Sequence, residues 1–188
     1  MVIHEKALIS CMKEAYRNQG YTVAVDDDNW MLINGGYWLA RIAEEESSNE
    51  LRSLITLHMR QVPDAGDAYK TVKTKNGPFV QKMLLEDAMG IMEILEGKLE
   101  EAAQKPAQMK RADMFLRNCG VWQNTEDLSI MMVDPRYEML IGKPLEVTKA
   151  GYGLYLDDDI SALWVLAVQD NEAKDKIEHL AKIRWVGE

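Results

Sequence analysis

The sequence of 188 residues has few of the residues that mark secreted, metal-dependent or membrane proteins: two cysteines, three histidines and five prolines. Cys11 and Cys119 make neither a disulfide framework nor a Cys-x-x-Cys pair, so we expect reduced thiols. The N-terminal residues lack the apolar core of a secretory signal. The longest uncharged apolar stretch, residues 160–168, is far shorter than the roughly 20 residues of a membrane-spanning helix. We therefore expect a cytoplasmic protein that does not enter a membrane.

Catalytic and cofactor motifs are also absent. The sequence contains no Gly-x-Ser-x-Gly elbow and no phosphate-binding Gly-x-x-x-x-Gly-Lys-Ser/Thr loop. His4, His58 and His179 have no His, Cys or carboxylate four residues further along the chain, and neither run of three aspartates continues as a calcium-binding loop. These absences favour a protein without catalysis, and they predict no cofactor and no metal.

Charge is the feature that the sequence has in excess. The 31 acidic and 22 basic residues give a net charge of −9 at pH 7. Residues 1–100 carry 16 acidic and 11 basic side chains, and residues 101–188 carry 15 and 11, so no tail holds the excess. A chain of this charge repels phosphate backbones, and direct nucleic-acid binding is not expected.

Three local peaks of negative charge fall at turns or strand ends, where side chains are exposed. Carboxylates without a basic counter-patch attract a basic protein surface and speed its association. The predicted partner-binding residues are Asp26, Asp27, Asp28, Glu44, Glu45, Glu46, Asp157, Asp158 and Asp159.

The first part of the chain combines helical periodicity with short alternating runs bounded by turn residues. Asn34-Gly35-Gly36 between two apolar runs is a hairpin signal. The predicted elements are a helix over 3–18, a meander of strands over 21–25, 30–33 and 37–43, a helix over 47–60 that opens with a Ser47/Glu50 capping box, and a strand over 68–74.

The second part begins with a long amphipathic pattern after Pro78, which predicts a helix over residues 78–104. The predicted elements that follow are a helix over 107–119, strands over 128–133, 137–141, 145–149, 152–156 and 160–168, and a closing helix over 172–183.

Runs of strands followed by helices favour an α+β fold with antiparallel sheet and about five helices. Residues 20–28 and 151–159 are identical at five of nine positions, and each leads into an apolar strand. This match suggests a two-lobed pseudo-repeat, although similar hairpins also arise by convergence. We expect a single unit over residues 1–188, with lobes over 1–76 and 107–188 bridged by the long helix.

The leading hypothesis is a non-catalytic acidic protein that binds a basic protein surface, as an inhibitor or nucleic-acid mimic acting on a nucleic-acid-processing protein. A second hypothesis is a small-molecule-binding or hydrolytic domain with a pocket between the lobes. Its lining would be the methionines together with Trp30, Trp38, Trp122 and Trp164. A third is a homodimer formed through the long helix.

Overall fold

The computed structural model describes residues 1–90, 97, 108–143 and 146–168. Within these ranges the chain forms an eight-stranded antiparallel sheet, a three-stranded antiparallel sheet and four helices. The predicted α+β class with antiparallel sheet is therefore confirmed.

The first helix and the meander after it form where the sequence predicts them. Helix α1 (Glu5–Arg17) buries an apolar face and ends before Gly20, which adopts a φ of 84°. Strands β1 (Tyr21–Val25), β2 (Trp30–Asn34) and β3 (Trp38–Ala43) pair in order. A side chain at Gly35 would overlap the Trp38 ring, so the β2–β3 turn requires glycine there.

The next segment contains helix α2 and a hairpin. A short 3₁₀ helix (Glu44–Glu46) precedes α2 (Asn49–Met59). The N-cap of α2 is Ser48, whose hydroxyl accepts from the backbone of Leu51, so the predicted cap at Ser47 is wrong by one residue. Strand β4 (Ala68–Thr74) is confirmed, and it pairs with β5 (Gly77–Met83).

Strand β5 corrects the predicted start of the long helix at residue 78. The tight turn before Gly77, which has a φ of 109°, returns the chain along β4, so residues 77–83 gain ladder hydrogen bonds that override their helical periodicity. Helix α3 begins at residue 85 and is described to residue 90, and Gly97 is also helical. The other residues of the predicted helix lie outside the described ranges.

A second correction concerns residues 107–119, which were expected to be helical. The described part forms β6 (Met109–Leu116), which pairs with β7 (Cys119–Asn124), and β7 pairs with β8 (Ile130–Val133). Arg117 and Asn118 both have positive φ values, 48° and 65°, as a two-residue hairpin turn requires. An irregularity between Arg111 and Phe115 breaks the alternation of the strand and leaves a helix-like apolar spacing.

The strand predicted over residues 137–141 is wrong, because α4 (Pro135–Glu138) is a short helix capped by Asp134, a turn follows it, and Ile141 makes only an isolated bridge to Ile3. Pro135 occupies the first turn, where its missing N–H costs nothing. Strands β9 (Thr148–Ala150), β10 (Gly153–Asp158) and β11 (Ser161–Leu166) complete the described elements. The predicted helix over residues 172–183 lies outside the described residues.

The large sheet joins strands from both ends of the chain in the order β5-β4-β1-β2-β3-β11-β10-β9. Helices α1 and α2 pack on one face over the main apolar core, and the start of α3 packs on the other face over a smaller core. The two similar segments become β1 and β10, and Val23, Val25, Leu154 and Leu156 bury their side chains in the same main core. Whether these segments arose by duplication stays a prediction.

Candidate functional site

The three acidic clusters lie at one end of the eight-stranded sheet. Strands β1, β3 and β10 run in the same direction, because one antiparallel strand separates β1 from β3 and another separates β3 from β10. Each of these strands ends in, or leads directly into, one cluster. We call Asp26–Asp28, Glu44–Glu46 and Asp157–Asp159 together the acidic rim.

Backbone hydrogen bonds hold the three parts of the rim in contact. The Glu44 N–H donates to the carbonyl of Asn29 in the β1–β2 turn at 2.9 Å. The Ala43 N–H donates to the carbonyl of Ile160 in the β10–β11 turn at 3.0 Å. Main-chain bonds of this kind do not depend on the acidic side chains, so the rim has a fixed geometry that the charges themselves do not have to maintain.

A cleft of about 530 Å³ opens in the middle of the rim. Asp28, Glu45 and Asp159 contribute to its lining from three different turns, and Trp30 and Arg52 line it as well. The cleft therefore combines carboxylates, one guanidinium and an indole.

Three of the nine rim carboxylates are paired with a cation. Asp26 contacts Arg41 at 3.4 Å, Glu44 binds Arg52, and Asp158 contacts the N-terminal amine at 2.9 Å. Asp26 is also half-buried within its own turn, where its carboxylate accepts from the backbone of Trp30 at 2.8 Å. These three carboxylates therefore have structural partners.

The other six rim carboxylates are exposed, and no cation pairs with them among the residues that the structure describes. They are Asp27, Asp28, Glu45, Glu46, Asp157 and Asp159. The rim as a whole keeps about six formal negative charges, since the three paired carboxylates are each balanced. The predicted residues thus lie at one end of the sheet, and two thirds of them are exposed with no cation partner in the described part of the chain.

The rim affects the ionisation of two of its own members. Partial desolvation raises the pKa of Asp157, and the adjacent charge of Asp158 raises it further. Desolvation also acts on Asp158, but hydrogen bonds from the N-terminal amine and from Ser161 outweigh it, so the pKa of Asp158 is lowered. Asp158 is therefore an anchored anion, whereas Asp157 experiences like-charge repulsion.

The four tryptophans of the pocket hypothesis do not line one cavity within the described ranges. Trp30 lines the acidic cleft, and Trp38 is buried in the main core. Trp122 donates to Glu138 at 3.0 Å, and Trp164 packs against the smaller core. The described residues give no support to a shared aromatic pocket.

The remaining polar candidates have structural surroundings. His58 is buried, stacks on Tyr16 and lies 3.0 Å from the Tyr21 hydroxyl. Cys11 is buried, and burial raises the pKa of its thiol to about 11. In the described part of the chain no group of three or more His, Cys, Asp and Glu side chains could hold a metal ion.

Two arginines that no motif in the sequence marks as site residues, Arg41 and Arg52, neutralise part of the rim. Arg41 lies on β3 and also covers the Trp30 ring at 4.5 Å. Arg52 lies four residues after the N-cap of α2, so its contact with Glu44 spans eight residues. A helix that begins near Ser47 or Ser48 has Arg52 at the end of its first turn, close to the residues that precede the helix. This spacing is the sequence signal that could have identified the Arg52–Glu44 pair.

Fold and rim together define an α+β scaffold that carries a clustered acidic surface. No family model matches the chain, and no curated protein matches it in sequence. Among solved structures it is similar to DNA polymerase III subunit beta from Borrelia burgdorferi, at 11% identity and a TM-score of 0.40, over 88% of this chain and 61% of that one. The beta chain of DNA polymerase III from Streptococcus pneumoniae is similar at 6% identity and a TM-score of 0.35, over 90% and 64%.

The chain spans less than two thirds of the length of each of these two proteins. At these identities and TM-scores the likeness is a remote one, of strand and helix arrangement alone. No helix in the described ranges is long and apolar enough to cross a membrane.

Proposed function

We propose that this protein is a non-catalytic interaction protein whose acidic rim binds a basic surface of another protein. One observation carries the proposal: three turns, one of them more than a hundred residues from the other two, meet at one end of a single sheet and leave six carboxylates without a cation among the described residues. Exposed charge of one sign on a rigid frame raises the rate at which an oppositely charged surface associates.

The cleft adds a site for an individual side chain. Asp28, Glu45 and Asp159 surround it without a paired cation among the described residues, and the Trp30 indole forms part of its wall. A lysine or arginine side chain of the partner can enter, place its charge between these carboxylates and contact the part of the indole that Arg41 leaves uncovered. Arginine fits this setting better, because its planar guanidinium binds carboxylates in a bidentate manner.

The density of charge along the rim supports a partner that normally binds nucleic acid. Strands lie about 4.8 Å apart, so β1 and β10 are separated by about 19 Å. The six carboxylates without a cation among the described residues form three pairs about 9.6 Å apart, an average of roughly one charge per 3 Å, against one per 3.4 Å along a single strand of duplex DNA. We infer that the partner is a nucleic-acid-processing protein whose phosphate-binding groove accepts the rim, which would make this protein an inhibitor or nucleic-acid mimic.

The proposal is tested with two triple variants that remove the same charge. The rim variant is Asp28→Asn, Glu45→Gln and Asp159→Asn, and the control is Asp87→Asn, Glu86→Gln and Asp113→Asn, all exposed residues outside the rim. Tagged wild-type protein is used to capture partners from a lysate at low salt, the captured proteins are identified, and duplex DNA is added as a competitor. We expect capture of a basic protein that the control retains, that the rim variant loses, and that duplex DNA displaces.

Three outcomes would contradict the proposal. Capture could persist with the rim variant, fall equally with both variants, or persist unchanged at high salt. If salt displaces the partner but duplex DNA does not, the proposal of a charge-based interaction stands and the proposal of nucleic-acid mimicry is refuted.

A further inference from the structure

The β4–β5 hairpin is a basic segment in an acidic protein. Residues 68–83 contain four lysines and no acidic residue, although the chain as a whole has a net charge of −9. The hairpin forms one edge of the eight-stranded sheet, and its turn lies at the end of the sheet opposite the acidic rim. The two ends of this sheet therefore differ in charge.

A groove of about 400 Å³ lies between this hairpin and the end of α2. Its apolar lining includes Met59, Tyr69, Pro78 and Val80, and Arg60 lines it at the point where α2 ends. None of the described residues that line the groove is acidic. The groove thus offers apolar contact area beside a positive charge.

Further cations lie on the same face of the hairpin. Side chains alternate along β4, so Lys73 projects to the same face as Tyr69, and it is exposed. Lys82 lies over the Tyr69 ring at 5.8 Å but is already paired with Asp67. Arg60 and Lys73 are exposed and have no carboxylate partner within the described ranges, so they remain available to an incoming anion.

The groove, and not the open edge of β5, is the favoured contact surface. Pro78 lies within β5 and lacks an N–H, and Lys82 on the same edge strand opposes pairing with another strand. A nucleic acid is a poor occupant, because its phosphate backbone extends beyond the groove and is repelled by a chain of net charge −9. A short peptide segment contacts only the groove and avoids this repulsion.

We propose that this groove binds a short acidic and partly apolar peptide segment of a second partner protein. The apolar side chains of the segment pack on Tyr69, Pro78 and Val80, and its carboxylates approach Arg60 and Lys73. This site differs from the acidic rim in position and in the sign of its charge, so the two proposals stand or fall separately.

The test uses a fluorescein-labelled peptide of about ten residues that alternates Glu and Leu, with fluorescence anisotropy as the readout. We expect saturable binding that weakens as NaCl rises from about 50 to about 500 mM, because exposed charge pairs are screened. Arg60→Glu and Lys73→Glu should each lower the affinity by at least about fivefold. Lys6→Glu is the matched control, because it makes the same charge change at an exposed position away from the groove. Lys6 lies on α1 beside Glu5, and Glu5 contacts Ser48, at the end of α2 opposite Arg60.

Unfolding midpoints in urea are measured for all three variants, so that loss of fold is distinguished from loss of the site. The proposal is overturned if the peptide does not bind, or if Lys6→Glu weakens binding as much as the groove variants do. If a labelled single-stranded oligonucleotide binds more tightly through the same residues, the proposal is overturned and the groove is a nucleic-acid site. If light scattering shows a dimer that Lys73→Glu abolishes, the proposal is likewise overturned, because the occupant of the groove is then a second copy of the chain.

Discussion

Neutralising the acidic rim should make the protein more stable. Surfaces built for binding commonly retain like-charge repulsion that folding alone would not favour. Asp28, Glu45 and Asp159 approach one another across the cleft and have no cation partner among the described residues. In the triple variant Asp28→Asn, Glu45→Gln and Asp159→Asn we therefore expect a higher free energy of unfolding.

The size of the gain follows from the sheet geometry. Alternate strands are about 9.6 Å apart, and two unit charges at about 10 Å in water repel by about 0.4 kcal/mol. Each neutralised carboxylate loses repulsion from several rim neighbours and also some attraction to Arg52 in the cleft, so the variant should gain about 1 kcal/mol at low salt. At physiological ionic strength, with a Debye length of about 8 Å, screening reduces the gain to about a third.

Urea unfolding of the wild type and the variants at low and high salt measures this gain. The control Asp87→Asn, Glu86→Gln and Asp113→Asn should lose about 0.5 kcal/mol, because Glu86 and Asp87 lie in the first turn of α3, where negative charge is favourable. A rim variant that is less stable than the wild type, or a gain that does not depend on salt, would refute the reasoning.

Two further perturbations test the packing that supports the fold. Glu138→Gln should lower the free energy of unfolding by about 2–3 kcal/mol in urea titrations, because it leaves the mostly buried Arg111 without its counter-charge; a loss below about 1 kcal/mol would contradict this. Burial lowers the pKa of His58, so its neutral form, within 3.0 Å of the Tyr21 hydroxyl, stabilises the fold above about pH 6.5. Stability should fall as the pH drops below that value, and His58→Phe should flatten this dependence; an equal slope in the variant would contradict it.

Local sequence signals were sufficient for much of the first part of the fold. The Asn34-Gly35 turn, the alternation in β1 and the periodicity of α1 each depend on residues close together in the chain, and all three predictions are confirmed. The α4 helix was missed although its signal was local, since Asp134-Pro135 is an N-cap followed by proline at the first helical position as well as a turn dipeptide.

The errors occur where pairing with another strand outweighs local preference. Residues 109–116 have an apolar spacing that also fits a helix, because an irregularity interrupts the alternation of β6, and only their pairing with β7 makes them a strand. The charge of residues 68–83 was overlooked because totals over long stretches average a basic hairpin with its acidic surroundings.

The acidic residues were predicted individually, but their convergence could not be. It depends on the pairing of β3 with β11, for example Ala40 with Leu163, across more than a hundred residues. Nothing within either segment specifies that partner. The order of strands in the sheet is what turns three separate acidic turns into one surface.

The central claim is that unpaired rim carboxylates attract a cationic partner, and the association rate constant measures this most directly. Stopped-flow binding of the captured partner is recorded for the wild type, the rim variant and the control over a range of ionic strength. The account predicts that the rim variant associates at least about tenfold more slowly at low salt and dissociates at a nearly unchanged rate, while the control behaves like the wild type. Equal association rates for the rim variant and the wild type at low salt would contradict it.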